Sequence, residues 1–236
     1  MNNDIVLDEF LTLTKNLSHL KGIRKLVNNV SSWFSLNITI FIQFLGLQKS
    51  VIRKCQDRLI LNIGSGDQFP DECVNTDLFP GLGAIFRIIT KQEKIKYDYF
   101  LNVLYKDVNL VGKVDGIVFS HVLEHLPPHL SLAVLDNLRG FLKKDGILRI
   151  SVPSLDAYEN AIVPPDQNIT TPILAKNSLF YRWNHKFMYN QELLTVLLES
   201  VGFSNVRITD CGLDELGEFD VKRRRDETLY LICTAK

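Results

Sequence analysis

The sequence predicts an α/β fold, namely a seven-stranded, mostly parallel sheet with helices on both faces and an antiparallel last strand. Short apolar runs alternate with amphipathic helical segments from Arg58 onward, which is typical of a parallel sheet covered on both faces. The last two runs follow each other without a helical segment between them, which predicts a hairpin and therefore an antiparallel final strand. Residues 58–236 form this unit, and residues 1–57 are predicted to be a helical extension before it.

The individual elements follow from hydrophobic periodicity. The predicted strands are Leu59–Ile63, Cys73–Thr76, Tyr99–Leu104, Gly116–Ser120, Ile147–Val152, Val206–Thr209 and Thr228–Thr234. Leu130–Leu142 is an amphipathic helix that stops at lysines followed by Gly146, which suit a helix C-terminus. Gln191–Val201 is a second helix, closed by Gly202. Apolar residues between Leu7 and Ile23 recur at helix-like spacing.

Composition excludes several classes of function. The chain has 236 residues, of which 46% are hydrophobic and 23% charged, as expected for a soluble protein with a substantial core. Its 27 Lys and Arg balance 27 Asp and Glu, so no global field attracts nucleic acid, and no nucleic-acid partner is expected. The four cysteines are scattered and no signal peptide is evident, which favours reduced thiols and a cytoplasmic location.

The most apolar segment runs from Trp33 to Leu47. It is interrupted by Asn37 and Gln43 and is shorter than the roughly 20 residues that a membrane-spanning helix needs. We expect a helix packed on the main domain. The alternative is a peripheral membrane contact through residues 33–54, because several cations follow the apolar run.

A glycine turn after the first strand predicts a nucleotide site. Leu61-Asn-Ile-Gly-Ser-Gly66 ends an apolar run in a Gly-x-Gly turn, and the next run ends in Asp77. In βαβ units the glycines let the backbone approach a ligand and the acid binds ribose hydroxyls. Asp77 follows Gly66 by only 11 positions, however, where a dinucleotide fold has about 20. This spacing disfavours a nicotinamide oxidoreductase.

Several motifs in the right order resemble a class I S-adenosylmethionine-dependent methyltransferase. They are Leu-Asn-Ile-Gly-Ser-Gly66, Val-Asn-Thr-Asp77, Asp115-Gly-Ile-Val-Phe-Ser-His-Val-Leu-Glu-His-Leu126, Gly140-Phe-Leu-Lys-Lys-Asp-Gly-Ile-Leu-Arg-Ile-Ser-Val-Pro153 and Glu199-Ser-Val-Gly-Phe203. The resemblance implies a Rossmann-like sheet over residues 58–236. The early acid and the chain's ending are similar to a subgroup of small bacterial methyltransferases often linked to surface-polysaccharide genes.

The resemblance also implies S-adenosylmethionine as cofactor and a set of residues to bind it. Gly64 and Gly66 would pass under its methionine part, and Asp77 would bind its ribose. The full set is Asn62, Gly64, Gly66, Asp67, Asp77, Asn102 and Ser120. Asn62 stands where the family usually has an acid, so it can accept a hydrogen bond from the cofactor ammonium but supplies no charge. Asn102 lies near the family's adenine contact.

A histidine cluster follows the fourth strand and provides the candidate catalytic residues. His121, Glu124 and His125 would share one helical turn, and His185 comes from a later excursion. Methyl transfer to a hydroxyl must also remove its proton. Three interpretations remain open: His125 or His185 is the general base and Glu124 orients it, the four side chains bind a divalent metal, or they only shape the pocket wall. We favour the base, without a metal.

The acceptor is predicted from the resemblance alone. It implies O-methylation of a small molecule or a glycan. Lys222-Arg-Arg-Arg225 could meet an anionic substrate, although a solvated loop is the favoured interpretation. The alternative function is a cofactor-binding but catalytically degenerate scaffold or subunit, because Asn62, Gln68 and Asn102 replace expected residues.

Overall fold

A computed structural model describes residues 23–54, 58–92, 94–155, 172–181 and 183–236. Its strands form one seven-stranded sheet in the order β3-β2-β1-β4-β5-β7-β6. They are β1 Ile60–Ile63, β2 Val74–Asp77, β3 Tyr99–Phe100, β4 Val114–Ser120, β5 Leu142–Pro153, β6 Phe203–Thr209 and β7 Thr228–Ala235. Six strands run in one direction, and β7 pairs antiparallel with both β5 and β6. The predicted fold class is confirmed.

The core lies on both faces of the central strands. All four residues of β1 are buried, and Leu61 pairs with Val74 on one side and Ile117 on the other. Ile117, Phe119 and Ile150 are completely inaccessible to solvent. Burying each such side chain contributes roughly 1.5–3 kcal/mol, so the largely apolar sequences of β1 and β4 account for their central positions.

Six α-helices accompany the sheet in the described part of the chain. They are α1 Ile23–Leu45, α2 Lys49–Lys54, α3 Leu82–Ile89, α4 Ser131–Phe141, α5 Pro172–Tyr181 and α6 Gln191–Ser200. Helix α6 begins at Asn190, whose side chain accepts a hydrogen bond from the Leu193 amide at 3.0 Å. Helices α1 and α2 confirm the helical interpretation of residues 23–54, whereas the prediction for residues 1–22 lies outside the described residues. In the described ranges, no helix combines the length and hydropathy that a membrane span requires.

The third strand is shorter than predicted. It ends at Phe100, and residues 101–104 leave the sheet because side chains of the N-terminal helices occupy their backbone groups. Gln48 accepts from the Phe100 amide at 2.6 Å and donates to the Phe100 carbonyl at 3.0 Å. Gln43 accepts from the Asn102 amide at 2.9 Å. These two amide side chains close the sheet edge where another strand would otherwise pair.

The connection between β1 and β2 determines where a ligand can bind. Residues 64–73, all of them described, contain turns and no helix. The carboxyl ends of β1, β2 and β4 therefore open onto loops, at the edge where open α/β sheets bind ligands.

Candidate active site

Two cavities lie beside the loop after β1, and they share Gly66 and Asp67. The outer cleft has a volume of about 510 Å³ and includes Asp77, the residues after β2 and helix α3. The inner cavity has a volume of about 160 Å³ and includes the glycine loop, Ser120, His121 and His125. Their shared wall means that one elongated ligand can extend through both.

The two glycines of the loop have different roles. Both have positive φ, +70° at Gly64 and +55° at Gly66, which disfavours other residues. A Cβ at Gly64 would lie 2.4 Å from a methyl group of Val122, so this glycine is required by packing. A Cβ at Gly66 would meet nothing closer than 3.9 Å. The space above Gly66 is therefore open to a ligand.

Asn62 occupies the floor of the inner cavity. Its amide nitrogen donates to the Gln68 carbonyl and to Asn75 Oδ1, both at 3.0 Å. Asn75 in turn donates to Asp98. Because these bonds use both hydrogens of the Asn62 amide, its carbonyl oxygen is the group left to accept from a ligand. The buried chain of amides explains how an uncharged residue holds its position here.

Asp77 ends β2 with its carboxylate at the boundary between loop and cleft. Oδ2 accepts from the Gly66 amide at 3.2 Å, and Oδ1 accepts from the Leu78 amide at 2.7 Å. Burial raises the pKa of Asp77, although the two backbone bonds oppose that shift. Asp67 is more exposed, and its hydrogen bonds from Gln68 and Arg223 lower its pKa. Of the two acids, Asp77 is the one whose charge is incompletely compensated.

Asn102 is separated from both cavities. It was predicted within the third strand, but it lies beyond the end of β3 and is 4% exposed. Its side-chain oxygen accepts from the Leu104 amide at 3.1 Å. In the described part of the chain, the cleft is instead covered by α3 and by Ser35 of α1. Because the short connection between β1 and β2 contains no helix, this side of the cleft would otherwise be open. The insertion after β2 and the N-terminal helices form its wall instead.

The histidine cluster is organised around Glu124, which is completely buried. Its Oε1 lies 3.2 Å from His121 Nδ1 and 4.0 Å from His125 Nε2. The His125 and His185 rings meet edge to face, with centroids 4.8 Å apart. The Glu124 backbone carbonyl accepts from the Lys186 amide at 2.7 Å, which brings His185 to the cluster. All four predicted catalytic residues are thus brought together.

The local backbone differs from the predicted helical turn. Leu123–His125 is a 3₁₀ turn, and His121 precedes it with a left-handed φ of +54°. Strained conformations of this kind occur at sites where the surrounding structure fixes them. His121 Nε2 lies 3.0 Å from the Thr228 hydroxyl, which holds the ring. His121 is therefore fixed between Glu124 and β7, whereas the His125 side chain is 40% exposed.

Glu124, His125 and His185 also have the composition of a metal site. One ligand atom from each lies within 4.8 Å of the others. Neither Glu124 oxygen accepts a hydrogen bond of good geometry, although the side chain is completely buried. A buried carboxylate in that state needs a cation or a donor to compensate its desolvation. The fourth predicted ligand, His121, is not part of this group.

Sequence reasoning missed the far wall of the inner cavity. Arg149 of β5 is 1% exposed and donates two hydrogen bonds to Asp220, at 2.7 and 2.5 Å. This pair anchors the connection between β6 and β7, which brings Arg223 and Arg224 to the cavity. Arg223 is 61% exposed, as expected for a solvated loop, whereas Arg224 is half-buried at the cavity wall. An arginine inside the apolar run Ile147–Val152 was the available signal, since such a charge requires a buried partner.

Comparison with known proteins identifies the family. A family described as a methyltransferase domain matches residues 55–208, which is more than half of the chain. The chain belongs to this family. It is an S-adenosylmethionine-dependent methyltransferase, and S-adenosylmethionine is its cofactor. No curated protein matches the chain.

Solved structures of several methyltransferases are similar to this methyltransferase. One is a SAM-dependent methyltransferase from Archaeoglobus fulgidus, with 20% identity, a TM-score of 0.45, and coverage of 80% of this chain and 93% of the other. A 16S rRNA (adenine(1408)-N(1))-methyltransferase from Catenulisporales acidiphilia has 15% identity, a TM-score of 0.45, and coverage of 79% and 91%. The methyltransferase domain of the citrinin polyketide synthase has 15% identity, a TM-score of 0.46, and coverage of 77% and 47%.

The residues around the two cavities fit the cofactor of this methyltransferase. The open space above Gly66 accommodates a ligand that crosses the loop. Asp77 offers an acceptor pair of the kind that vicinal ribose hydroxyls require, and the Asn62 carbonyl can accept from an ammonium group.

Proposed function

We propose that this methyltransferase methylates a hydroxyl oxygen of a small or carbohydrate acceptor, with His125 as the general base. The observation that carries the proposal is the position of His125. Its side chain reaches the inner cavity, stands 4.0 Å from the buried Glu124 carboxylate and packs against His185. A hydroxyl proton is poorly acidic, so its removal during methyl transfer needs a base of this kind.

In the proposed arrangement, the adenosine part of the cofactor lies in the outer cleft and the methionine part in the inner cavity. Asp77 binds the ribose, Asn62 accepts from the ammonium group, and the Gly64–Gly66 loop passes beneath the ligand. The bound cofactor supplies an electrophilic methyl group on its sulfonium. Asp67 and Ser120 line the inner cavity beside it. Asn102 does not contact the cofactor in this arrangement, and its side chain only holds the backbone at Leu104.

The Glu124 carboxylate gives the base its driving force. When His125 takes the acceptor's proton, its ring becomes cationic beside a carboxylate that is 0% exposed. A buried carboxylate stabilises that cation more strongly than a solvated one would. His121, fixed by Thr228, lies with its Nδ1 3.2 Å from Glu124 Oε1. His121 and Glu124 are therefore positioning residues, and His125 is the group that meets the acceptor.

Replacing His125 tests this role. We expect His125→Ala to lower the rate of methyl transfer about 10²–10⁴-fold, because the step loses its base. S-adenosylhomocysteine affinity should remain at the wild-type value. The assay follows radiolabelled methyl groups from S-adenosylmethionine into the small-molecule and glycan fractions of a cell extract. Added imidazole should partly restore the rate. The matched control is His129→Ala, an exposed histidine close by in the chain.

Two results would contradict the base. Complete loss of activity in a metal chelator, reversed by a divalent cation, would make Glu124, His125 and His185 a metal site. Tight S-adenosylhomocysteine binding without transfer to any fraction would support the degenerate scaffold instead.

The acceptor is proposed to carry an anionic group beside the reacting hydroxyl. Arg224 lines the inner cavity with its side chain half-buried, and none of the described carboxylates pairs with it. Arg223, in contrast, pairs with Asp67 at 2.9 Å. A guanidinium in that position suits a phosphate or a carboxylate, to which it can donate two hydrogen bonds.

Phosphate binding tests the role of Arg224. Inorganic phosphate should stabilise the S-adenosylhomocysteine complex in thermal unfolding, and Arg224→Gln should weaken that effect about tenfold in phosphate concentration. Arg225→Gln is the matched control, since Arg225 is exposed and does not line the cavity. If Arg224→Gln instead weakens S-adenosylhomocysteine and leaves 5′-methylthioadenosine unaffected, Arg224 binds the cofactor carboxylate. The anionic acceptor is then wrong.

A further inference from the structure

Helix α1 has the opposite polarity to that of an ordinary surface helix. Among its described side chains, the three that are fully buried are all polar, namely Ser35, Thr39 and Gln43. The opposite face of the helix is apolar and exposed. Its members, which we call the outer face, are Val30, Trp33, Phe41 and Phe44, exposed by 47%, 65%, 58% and 84%.

The buried polar stripe explains how α1 is attached. Ser31, Ser35, Thr39 and Gln43 recur every fourth residue, so they point to one side of the helix. Ser31 accepts from the Leu82 amide at 2.9 Å, and Thr39 accepts from the Phe79 amide at 2.8 Å. The attachment therefore uses hydrogen bonds to backbone, together with the edge-to-face contact of Phe34 with Phe79. The aromatic side chains contribute nothing to it from the outer face.

Exposing the apolar side chains of the outer face to water is unfavourable. Monomeric soluble proteins rarely expose contiguous apolar patches, and large ones mark interaction sites. The neighbouring α3 adds to the patch, because Phe86 and Ile89 are 66% and 73% exposed and none of its eight described residues is buried. Asn37, the polar residue within the outer stripe, donates to the Trp33 carbonyl of its own helix at 2.7 Å. This bond satisfies one of its two amide hydrogens.

The charge of the segments around the outer face indicates which kind of partner binds there. Residues 23–54 and 78–97 together contain nine Lys and Arg and one acid, although the whole chain is balanced, so the remainder has a net charge of −8. A second copy would bring the same basic segments to the contact, and like charges across a symmetric contact are unfavourable. An anionic lipid surface complements both the cations and the aromatic side chains.

We propose that the outer face of α1, together with α3, binds the protein to an anionic phospholipid surface. The helices would lie in the interface plane with Trp33, Phe41 and Phe44 among the headgroups. The outer cleft is lined by Ser35 of α1 and by Arg87 of α3, so the two helices that would contact the bilayer also line the active site. Membrane contact would therefore bring the active site close to acceptors held at the bilayer. This inference does not depend on the chemistry of the His125 site.

Tryptophan fluorescence tests the contact directly. The chain has two tryptophans, so Trp183→Phe leaves Trp33 as the sole reporter and Trp33→Phe leaves Trp183. With vesicles of equal parts phosphatidylcholine and phosphatidylglycerol, the Trp33 emission should shift to the blue and be quenched by brominated lipid. Vesicles of phosphatidylcholine alone should cause no shift, and added salt should reduce it. Trp183 should respond to neither vesicle.

Two matched pairs of variants locate the surface. Phe41→Ser should weaken vesicle binding about tenfold, whereas Val196→Ser, a similarly accessible apolar residue of α6, should not. Lys49→Glu should weaken it, whereas Lys144→Glu, exposed at the far end of β5, should not. S-adenosylhomocysteine binding, measured on the same preparations, should be unchanged throughout. This readout separates a failure of the membrane contact from a failure of the proposed function.

Three outcomes would overturn the proposal. The first is no change of Trp33 emission with either vesicle. The second is a vesicle response of Trp183 in place of Trp33, which would assign binding to another face. The third is a Trp33 emission that is already blue-shifted without lipid and follows a concentration-dependent doubling of mass, which would make a second copy the occupant.

Discussion

Replacing Asp77 with alanine should lower the affinity for S-adenosylhomocysteine at least about 100-fold. The carboxylate would accept hydrogen bonds from two ribose hydroxyls, and bonds to a charged group contribute about 1.5–3 kcal/mol each. Titration calorimetry measures the effect. Asp71→Ala is the matched control, because Asp71 is an exposed acid near the same loop that lines neither cavity.

The affinity should also depend on pH through Asp77. Burial raises the pKa of this carboxyl above its ordinary value, so the charged form that binds ribose is lost at a higher pH than for a solvated aspartate. S-adenosylhomocysteine affinity should therefore fall as pH decreases through that raised pKa. In Asp77→Asn the affinity should be low and independent of pH over the same range.

The contribution of Asp77 to the free energy of unfolding should depend on pH in the opposite sense and increase as the pH falls. A carboxyl with a raised pKa in the folded state lowers stability at neutral pH, where it is ionised, and this penalty disappears as pH falls. Asp77→Asn removes the charge and should leave the thermal midpoint of the free protein unchanged or higher. Loss of binding together with a lower midpoint would indicate a folding defect, and an unchanged affinity in Asp77→Ala would refute the ribose contact.

Replacing Asp220 should have the largest effect on stability. Asp220→Ala leaves the buried Arg149 guanidinium without its carboxylate, and breaking a buried pair in this way costs about 3–5 kcal/mol. Urea unfolding measures the difference. Asp136→Ala is the control, because its pair with Arg139 at 2.9 Å is largely exposed and should matter little.

A double variant separates the charge from the shape of this site. Arg149→Met with Asp220→Leu replaces the buried pair by apolar side chains and should recover most of the lost stability. The connection between β6 and β7 would nevertheless lose the Arg149 bonds to the Leu213 and Asp210 carbonyls, both 2.9 Å. We expect phosphate binding at Arg224 to remain impaired. Full stability in Asp220→Ala would show that the pair does not anchor this connection.

The sequence predicted the parts of the site that depend on short segments. Gly64 and Gly66 were recognisable because a Gly-x-Gly turn after an apolar strand has few other uses, and Asp77 because it ends the next strand. The histidine cluster was visible from the spacing of His121, Glu124 and His125. Which histidine ring lies nearest to Glu124 could not be predicted, because the turn is 3₁₀ and His121 has a left-handed backbone.

The predictions that failed involve residues far apart in the chain. Asn102 was expected in a strand, but Gln43, 59 positions earlier, takes its backbone amide and ends the pairing. Lys222, Arg223 and Arg225 are exposed, as expected of a solvated loop, but Arg224 is not, because the Arg149–Asp220 bond, across 71 positions, places it at the cavity. Propensity and periodicity contain no information about such partners.

By itself, the sequence determined the fold class, the antiparallel hairpin, the glycine turn and the family, because each follows from a local pattern of side chains along the backbone. Only the tertiary structure decided that α1 attaches by Ser35, Thr39 and Gln43 and exposes Trp33 and Phe44. An amphipathic pattern states that a helix has two faces. Which face is buried depends on the groups that the fold brings against it, here the backbone at the edge of the sheet and after β2.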